Sequence, residues 1–134
     1  MADATASIGT TDYAVSILAG HHQLVADESV DRGGKDTGPS PSELACSALC
    51  ACTAITLRMY AERKEWPLQA VHVSAHLRQD GGRRMIARTV GLEGDLNDEQ
   101  RARLADIAER TPVTLLLKEG ATIATTLEPS GSAL

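Results

Sequence analysis

At 134 residues with 43% hydrophobic content, the chain is sized for one globular domain, small enough that a partner chain could complete its core. A net charge of −5 with a pI near 5.3, and basic residues scattered apart from Arg63-Lys64 and Arg83-Arg84, argue against nucleic acid or an anionic membrane surface as partner. Three cysteines, Cys46, Cys50 and Cys52, fall within seven positions. They make no disulfide framework, which points to a reducing compartment, the cytoplasm.

No apolar run is expected to span a bilayer, and the N-terminus "MADATASIGTTDY" lacks the charged-then-apolar order of a signal peptide. Residues 1–134 form a single domain in this reading, with 1–10 and 128–134 as flexible tails. "TDYAVSIL" (11–18) and "HQLVAD" (22–27) are short apolar, β-branched runs about Gly20-His21, which predicts a hairpin. A Gly- and Pro-rich loop, "ESVDRGGKDTGPSP", follows.

A long helix is predicted over 41 to 64. Ser40 serves as N-cap, Pro41 takes the first helical position, and Glu43 closes a capping box. Arg63 and Lys64 suit the C-terminal dipole, and Trp66-Pro67 ends the helix. Between these marks "LACSALCACTAITL" is apolar on all sides, as in a helix buried all round. Five short strands and one helix cannot easily cover it, so a second copy of the chain is expected to help.

"AVHVSAHL" (70–77) alternates, with Val71, Val73, Ala75 and Leu77 on one face and His72, Ser74 and His76 on the other. "RRMIARTVGLEG" (83–94) reads as its antiparallel partner across "RQDGG". A second helix begins near Asn97, with Gln100 completing another capping box, turns Leu104, Ile107 and Ala108 inward, and stops before Pro112. "ATIATTLE" is expected as a last strand. The order β-β-α-β-β-α-β is α+β with an antiparallel sheet.

On a helix Cys46 and Cys50 share a face, whereas Cys52 lies nearly opposite Cys50, so Cys50 and Cys52 cannot share a metal or a disulfide while the helix is intact. Two helical thiols are a poor zinc site. His72 and His76, four apart on a strand, are roughly 13 Å apart, too far for one ion. No metal or cofactor is expected, and the histidines read as solvated or locally hydrogen-bonded. Free cysteines are more often small buried hydrophobes than reactive groups.

"GPSPSELACSALCACTAITLRMYAERKEWPL" and "VGLEGDLNDEQRARLADIAERTPV" resemble the OsmC/Ohr family of organic hydroperoxide reductases over residues 11–127, closest to its short OsmC-like branch. The resemblance implies an intertwined homodimer with the long helix buried at its centre. It implies a thiol-dependent peroxidase, with organic hydroperoxide as substrate and an external thiol as reductant. The peroxidatic cysteine of the family aligns with Cys52; Cys46 and Cys50 stand at ordinary apolar or small positions. A thiolate attacks the terminal peroxide oxygen, and a second cysteine traps the resulting sulfenic acid. An arginine held by a glutamate supports the thiolate.

The chain departs from that pattern. The resolving cysteine is replaced by Thr111, in "AERTPVTLLL". The glutamate position is Ser42, with Glu43 next door and already engaged as a cap. Arg32, in the preceding loop, stands at a spacing similar to that of the family arginine. The candidate catalytic residues are therefore Cys52, Arg32 and Glu43. The alternative is a catalytically impaired dimer that binds a small hydrophobic ligand and uses its cysteines as core packing. A redox pair formed by Cys46 and Cys50 ranks below both, because a helix holds thiols badly for disulfide geometry.

Overall fold

Capping chemistry sets the helix boundaries. In the computed structural model, which describes residues 2–129, helix α1 (Pro41–Lys64) opens on Ser40, whose backbone N–H donates to Glu43 Oε1 at 2.9 Å while its Oγ accepts from the Glu43 N–H at 3.2 Å. The reciprocal pair satisfies two donors that the first turn leaves without intrahelical partners. At the other end Glu65 adopts φ 57°, and its N–H turns back to the carbonyls of Ala61 and Glu62. Helix α2 (Asp98–Ala108) repeats the device with Asn97 and Gln100, at 2.8 and 2.9 Å. Both boxes stand where the sequence puts them.

A third helix, α3 (Pro112–Glu119), is absent from the sequence reading. It uses the same grammar: Thr111 Oγ1 accepts the Thr114 N–H at 3.2 Å, and Pro112 takes the first turn. Reading Pro112 as a stop was correct for α2 but overlooked that a Thr-Pro pair also starts a helix.

Two antiparallel sheets accompany the helices. Strands β1 (Ala4–Ser7), β2 (Val15–Ala19) and β3 (His22–Ala26) form one of them in that order. The β2–β3 hairpin is the expected one. Strand β1 corrects the assignment of residues 1–10 to a flexible tail: Ala4 to Ser7 pair with Ala19 to Ser16. Strands β4 (Leu68–Asp80) and β5 (Arg83–Gly94) form a long hairpin across Gly81 and Gly82, whose φ values of 58° and 82° suit a two-residue turn between twisted strands. Its register sets Val71 against Leu92, Val73 against Val90, Ala75 against Arg88 and Leu77 against Ile86.

Helix α1 lies on this hairpin, with α2 and α3 against it. The core gathers Leu57, Leu104 and Ala108, with Tyr60, Trp66, Val71, Val90, Leu92 and Ile107 packed around them. The closing strand expected at "ATIATTLE" does not form: those residues carry no regular structure, and Ile123 and Leu127 are 87% and 94% exposed. A period-2 pattern needs a sheet edge to pair with, and this segment pairs with neither sheet of its own chain. The order is β-β-β-α-β-β-α-α. Of the expected C-terminal tail, residues 130–134 lie outside the described residues.

Helix α1 is also not buried all round within one chain. Leu49, Thr53, Leu57 and Ala61 form its buried stripe, while Ile55 and Met59 are exposed. By length and composition it could cross a membrane, which corrects the expectation that no run reaches that length. Within this chain it buries one stripe and packs on β4, α2 and α3. Arg58 Nη1 donates to the Leu68 carbonyl at 2.5 Å, tying it to the start of β4.

The loop between β3 and α1 closes on one carboxylate. Buried Asp27 accepts from the N–H groups of Glu28 at 2.7 Å, Lys35 at 3.3 Å and Thr37 at 3.1 Å, and from the Thr37 hydroxyl at 2.6 Å. Gly34 is required there, because a Cβ would sit 2.0 Å from the Glu28 carbonyl oxygen. The loop carries Arg32 in a single 3-10 turn, Val30–Arg32.

Two expectations follow from this packing. The Thr37 hydroxyl and the surrounding N–H donors hold the Asp27 carboxyl down at about 2, against 3.8 for a free aspartate. A depressed carboxylate stabilises the fold fully above its unfolded value and loses that contribution as the pH falls through the folded one. The stability difference between wild type and Asp27→Asn, from urea denaturation, is therefore level above pH 3.8 and shrinks towards pH 2; a difference independent of pH across that window contradicts the clamp. Leu57→Ala, at a site with no exposure, is expected to cost about 3 kcal/mol by the same measurement, and a loss under 1 kcal/mol contradicts the packing.

Candidate active site around Cys52

Cys52 projects from α1 as a half-buried thiol beside the start of α3. Its Sγ accepts the backbone N–H of Val113 at 3.4 Å, and the Thr56 hydroxyl lies 4.0 Å away. Val113 is the second residue of α3, so its N–H is one of the donors a helix cannot satisfy internally. Such donors, backed by the helix dipole, favour negative charge on the atom they face, and the thiolate is the nucleophilic form of cysteine.

The start of α3 is fixed by buried hydroxyls. Thr111 has no exposed surface, and its Oγ1 lies 2.7 Å from Thr114 Oγ1. Thr114 in turn joins Arg88, whose side chain is only 11% exposed. Arg88 Nη1 donates to Thr53 Oγ1 and Thr114 Oγ1, each at 2.9 Å; Nη2 donates to the Ala108 carbonyl and to Glu109 Oε2, again at 2.9 Å. Ala75 faces Arg88 across the hairpin. Glu109 is held below its ordinary value first by the hydrogen bond from Lys118, with Arg88 adding to it, and burial opposing.

The sequence reading missed Arg88, Thr53 and Thr114. A signal was present: Arg88 takes an inward register position on β5 between Ile86 and Val90, and a charge on an apolar face is the informative exception. Thr53 likewise interrupts the apolar stripe Leu49, Leu57 and Ala61.

The other candidates stand apart from Cys52. Glu43 is exposed and engaged in the capping box, and nine residues along the helix put it roughly 13 Å from Cys52 along the axis. Arg32 is exposed on its loop, and the partners of Cys52 come from α1 and α3 instead. Within one chain the structure does not bring the three together. Burial pushes the Cys50 thiol up, and neighbouring Cys46 adds to this while Arg88 opposes it, which disfavours Cys50 as a nucleophile.

Among the described residues no group of three or more histidine, cysteine or acidic side chains is placed to hold a metal. His72 bonds to Glu93 at the surface. Beside Arg88 an open groove of about 700 Å³ is walled by Leu49, Leu77, Ile86 and Leu117, with Arg84 and Lys118 at its margin.

Comparison with known proteins matches a family model, OsmC-like protein, to residues 33–126. Among curated protein sequences none matches. Several solved structures share the fold. An OsmC-like protein from Mycoplasma pneumoniae is 17% identical with a TM-score of 0.75, covering 90% of this chain and 89% of its own. An osmotic stress induced and detoxification response protein from Psychrobacter arcticus is 18% identical with a TM-score of 0.72, covering 85% and 86%. The organic hydroperoxide resistance protein OhrB of Bacillus subtilis is 22% identical with a TM-score of 0.61, covering 90% and 92%. With the family model matched over most of its length and its α+β architecture shared by these structures, the chain belongs to the OsmC-like family.

Proposed function

We propose that the protein is a thiol-dependent peroxidase that reduces organic hydroperoxides through Cys52. The observation that carries the reading is the Val113 N–H donating to Cys52 Sγ at 3.4 Å from the start of α3. The sulfur attacks the terminal oxygen of the hydroperoxide. A sulfur–oxygen bond forms as the oxygen–oxygen bond breaks, and the leaving alkoxide takes a proton to become the alcohol. Cys52 is left as a sulfenic acid, oxidised by two electrons.

Thr111 cannot resolve that sulfenic acid, and both Cys50 and Cys46 lie on other faces of the intact helix than Cys52. An external thiol is therefore the resolving group: it displaces water to give a mixed disulfide, and a second thiol releases the reduced enzyme. Waiting for a reductant exposes Cys52 to overoxidation.

The working unit in this reading is a homodimer. Only a minority of the apolar stretch of α1 is buried within one chain, and Ile55 and Met59 stand exposed on it. The segment 121–128 has strand-like alternation and no partner strand. The first sheet leaves Leu24 exposed beside Ile17 on the same face. A second copy is the natural cover for these surfaces. Arg32 and Glu43 belong to the proposed machinery only if the second copy brings them to a cysteine.

A second reading is supported by the apolar groove beside Arg88: a dimer that binds a small hydrophobic ligand and uses its thiols as packing.

Four substitutions test these readings. Cys52→Ser is expected to abolish consumption of cumene hydroperoxide with dihydrolipoamide as reductant, whereas Cys46→Ser and Cys50→Ser retain most of it. Equal activity in all three variants contradicts the assignment. Thr111→Cys is expected to form an intramolecular disulfide with Cys52 on peroxide treatment, read as a loss of two hydrogens by intact mass. Stable sulfenic acid in that variant argues against Thr111 occupying the resolving position. Light scattering is expected to give the mass of two chains, and a monodisperse monomer contradicts the dimer.

A further inference from the structure

We propose that Arg88 and Thr111 are positioning residues that hold the N–H of Val113 on the sulfur of Cys52. This assignment rests on the reading of Cys52 as the reactive thiol. It starts from the topology of one hydrogen-bond network. A single nitrogen, Arg88 Nη1, donates at 2.9 Å both to Thr53 and to Thr114. Thr53 follows Cys52 on α1, and Thr114 follows Val113 on α3. The guanidinium therefore bridges the two residues that flank the sulfur and the N–H. It sets the spacing of both halves of that contact from one point.

The second nitrogen fixes where α3 departs from α2. Arg88 Nη2 donates to the Ala108 carbonyl and to Glu109, at the end of α2. Thr114 Oγ1 lies 3.2 Å from the same Ala108 carbonyl oxygen. Three residues join α2 to α3, and Thr111 is the last of them. Its hydroxyl caps the Thr114 N–H at 3.2 Å and pairs with the Thr114 hydroxyl at 2.7 Å. Without that cap the first turn of α3 has no side chain orienting its donors. A nearly buried guanidinium is tolerated only when its donors are paired, so the network resists partial loosening. The hydroxyl of Thr111 acts in this design as the element that aims Val113.

Neither residue touches the sulfur, so the test must separate aim from mere stability. The variants are Thr111→Ser, which keeps the capping oxygen, and Thr111→Val, which keeps the shape and removes it. Both are made in a Cys46→Ser, Cys50→Ser background so that only Cys52 reacts. Arg88→Met is a companion, with Thr111→Val carrying the test if it fails to fold. Three readouts are taken: the single-turnover rate with cumene hydroperoxide, the alkylation rate of Cys52 with iodoacetamide, and the Val113 amide resonance before and after blocking Cys52.

Thr111→Val is expected to slow both reactions by about tenfold, with Thr111→Ser recovering most of the rate. The Val113 resonance is expected to move on blocking Cys52 in the serine variant and to stay still in the valine variant. Equal rates in the two variants, or an equal Val113 response, overturn the assignment. If alkylation separates the variants while peroxide oxidises neither, the positioning role stands and the peroxidase reading falls.

Discussion

A guanidinium buried among three helices and a hairpin is the constraint on which this chain turns. Arg88 enters the interior from a strand position that would ordinarily hold Val or Ile, and four acceptors meet its terminal nitrogens. Taking such a charge out of water is costly, and an unpaired remnant would cost several kcal/mol. The surrounding chain answers with small or hydroxylated residues in places that a simple apolar core would fill otherwise: Ala75 opposite, Thr53 within the stripe of α1, Thr114 inside α3. With no Phe in the sequence and aliphatic side chains supplying most of the apolar packing, this polar knot defines how the helices meet as much as the apolar contacts do.

The start of α3 inherits its place from that knot, and the environment of Cys52 inherits its place from α3. Cys50, two residues away, lies on another face where burial and Cys46 push its thiol up. Two thiols of one helix thus stand in opposed settings, one facing a helix N-terminus and one desolvated. That contrast answers why three cysteines in one apolar helix need not share a role. All three are free and half-buried, and the donor from Val113 sets Cys52 apart.

Local chemistry made much of the fold legible from sequence. Ser40 with Glu43, and Asn97 with Gln100, are short-range signals that need nothing from the rest of the chain, and both appear as expected. The β4–β5 hairpin follows from alternation about two glycines. Long-range facts were less legible. Strand β1 is only four residues and exists because β2 offers an edge. The segment 121–128 has the alternation of a strand and lacks such an edge within its chain. Thr111 is legible as the residue in place of a cysteine, whereas its capping role emerges only when Pro112 is read as the start of a helix as well as a stop. Arg88 was missed because one charge inside an alternating strand looks like an ordinary solvated arginine until the register is known. The aligned position of Cys52 was legible; its donor, a backbone N–H sixty-one residues away, was not.

The central claim is that Cys52 alone among the three thiols reacts with organic hydroperoxide. Its most direct measurement is site-resolved: fully reduced wild-type protein is mixed with a small excess of cumene hydroperoxide, quenched within seconds in a sulfenic-acid trap, and mapped by peptide mass. Trap on Cys52, with Cys46 and Cys50 still reduced, is the expected result. Labelling spread evenly over the three cysteines, or none after minutes, would contradict it.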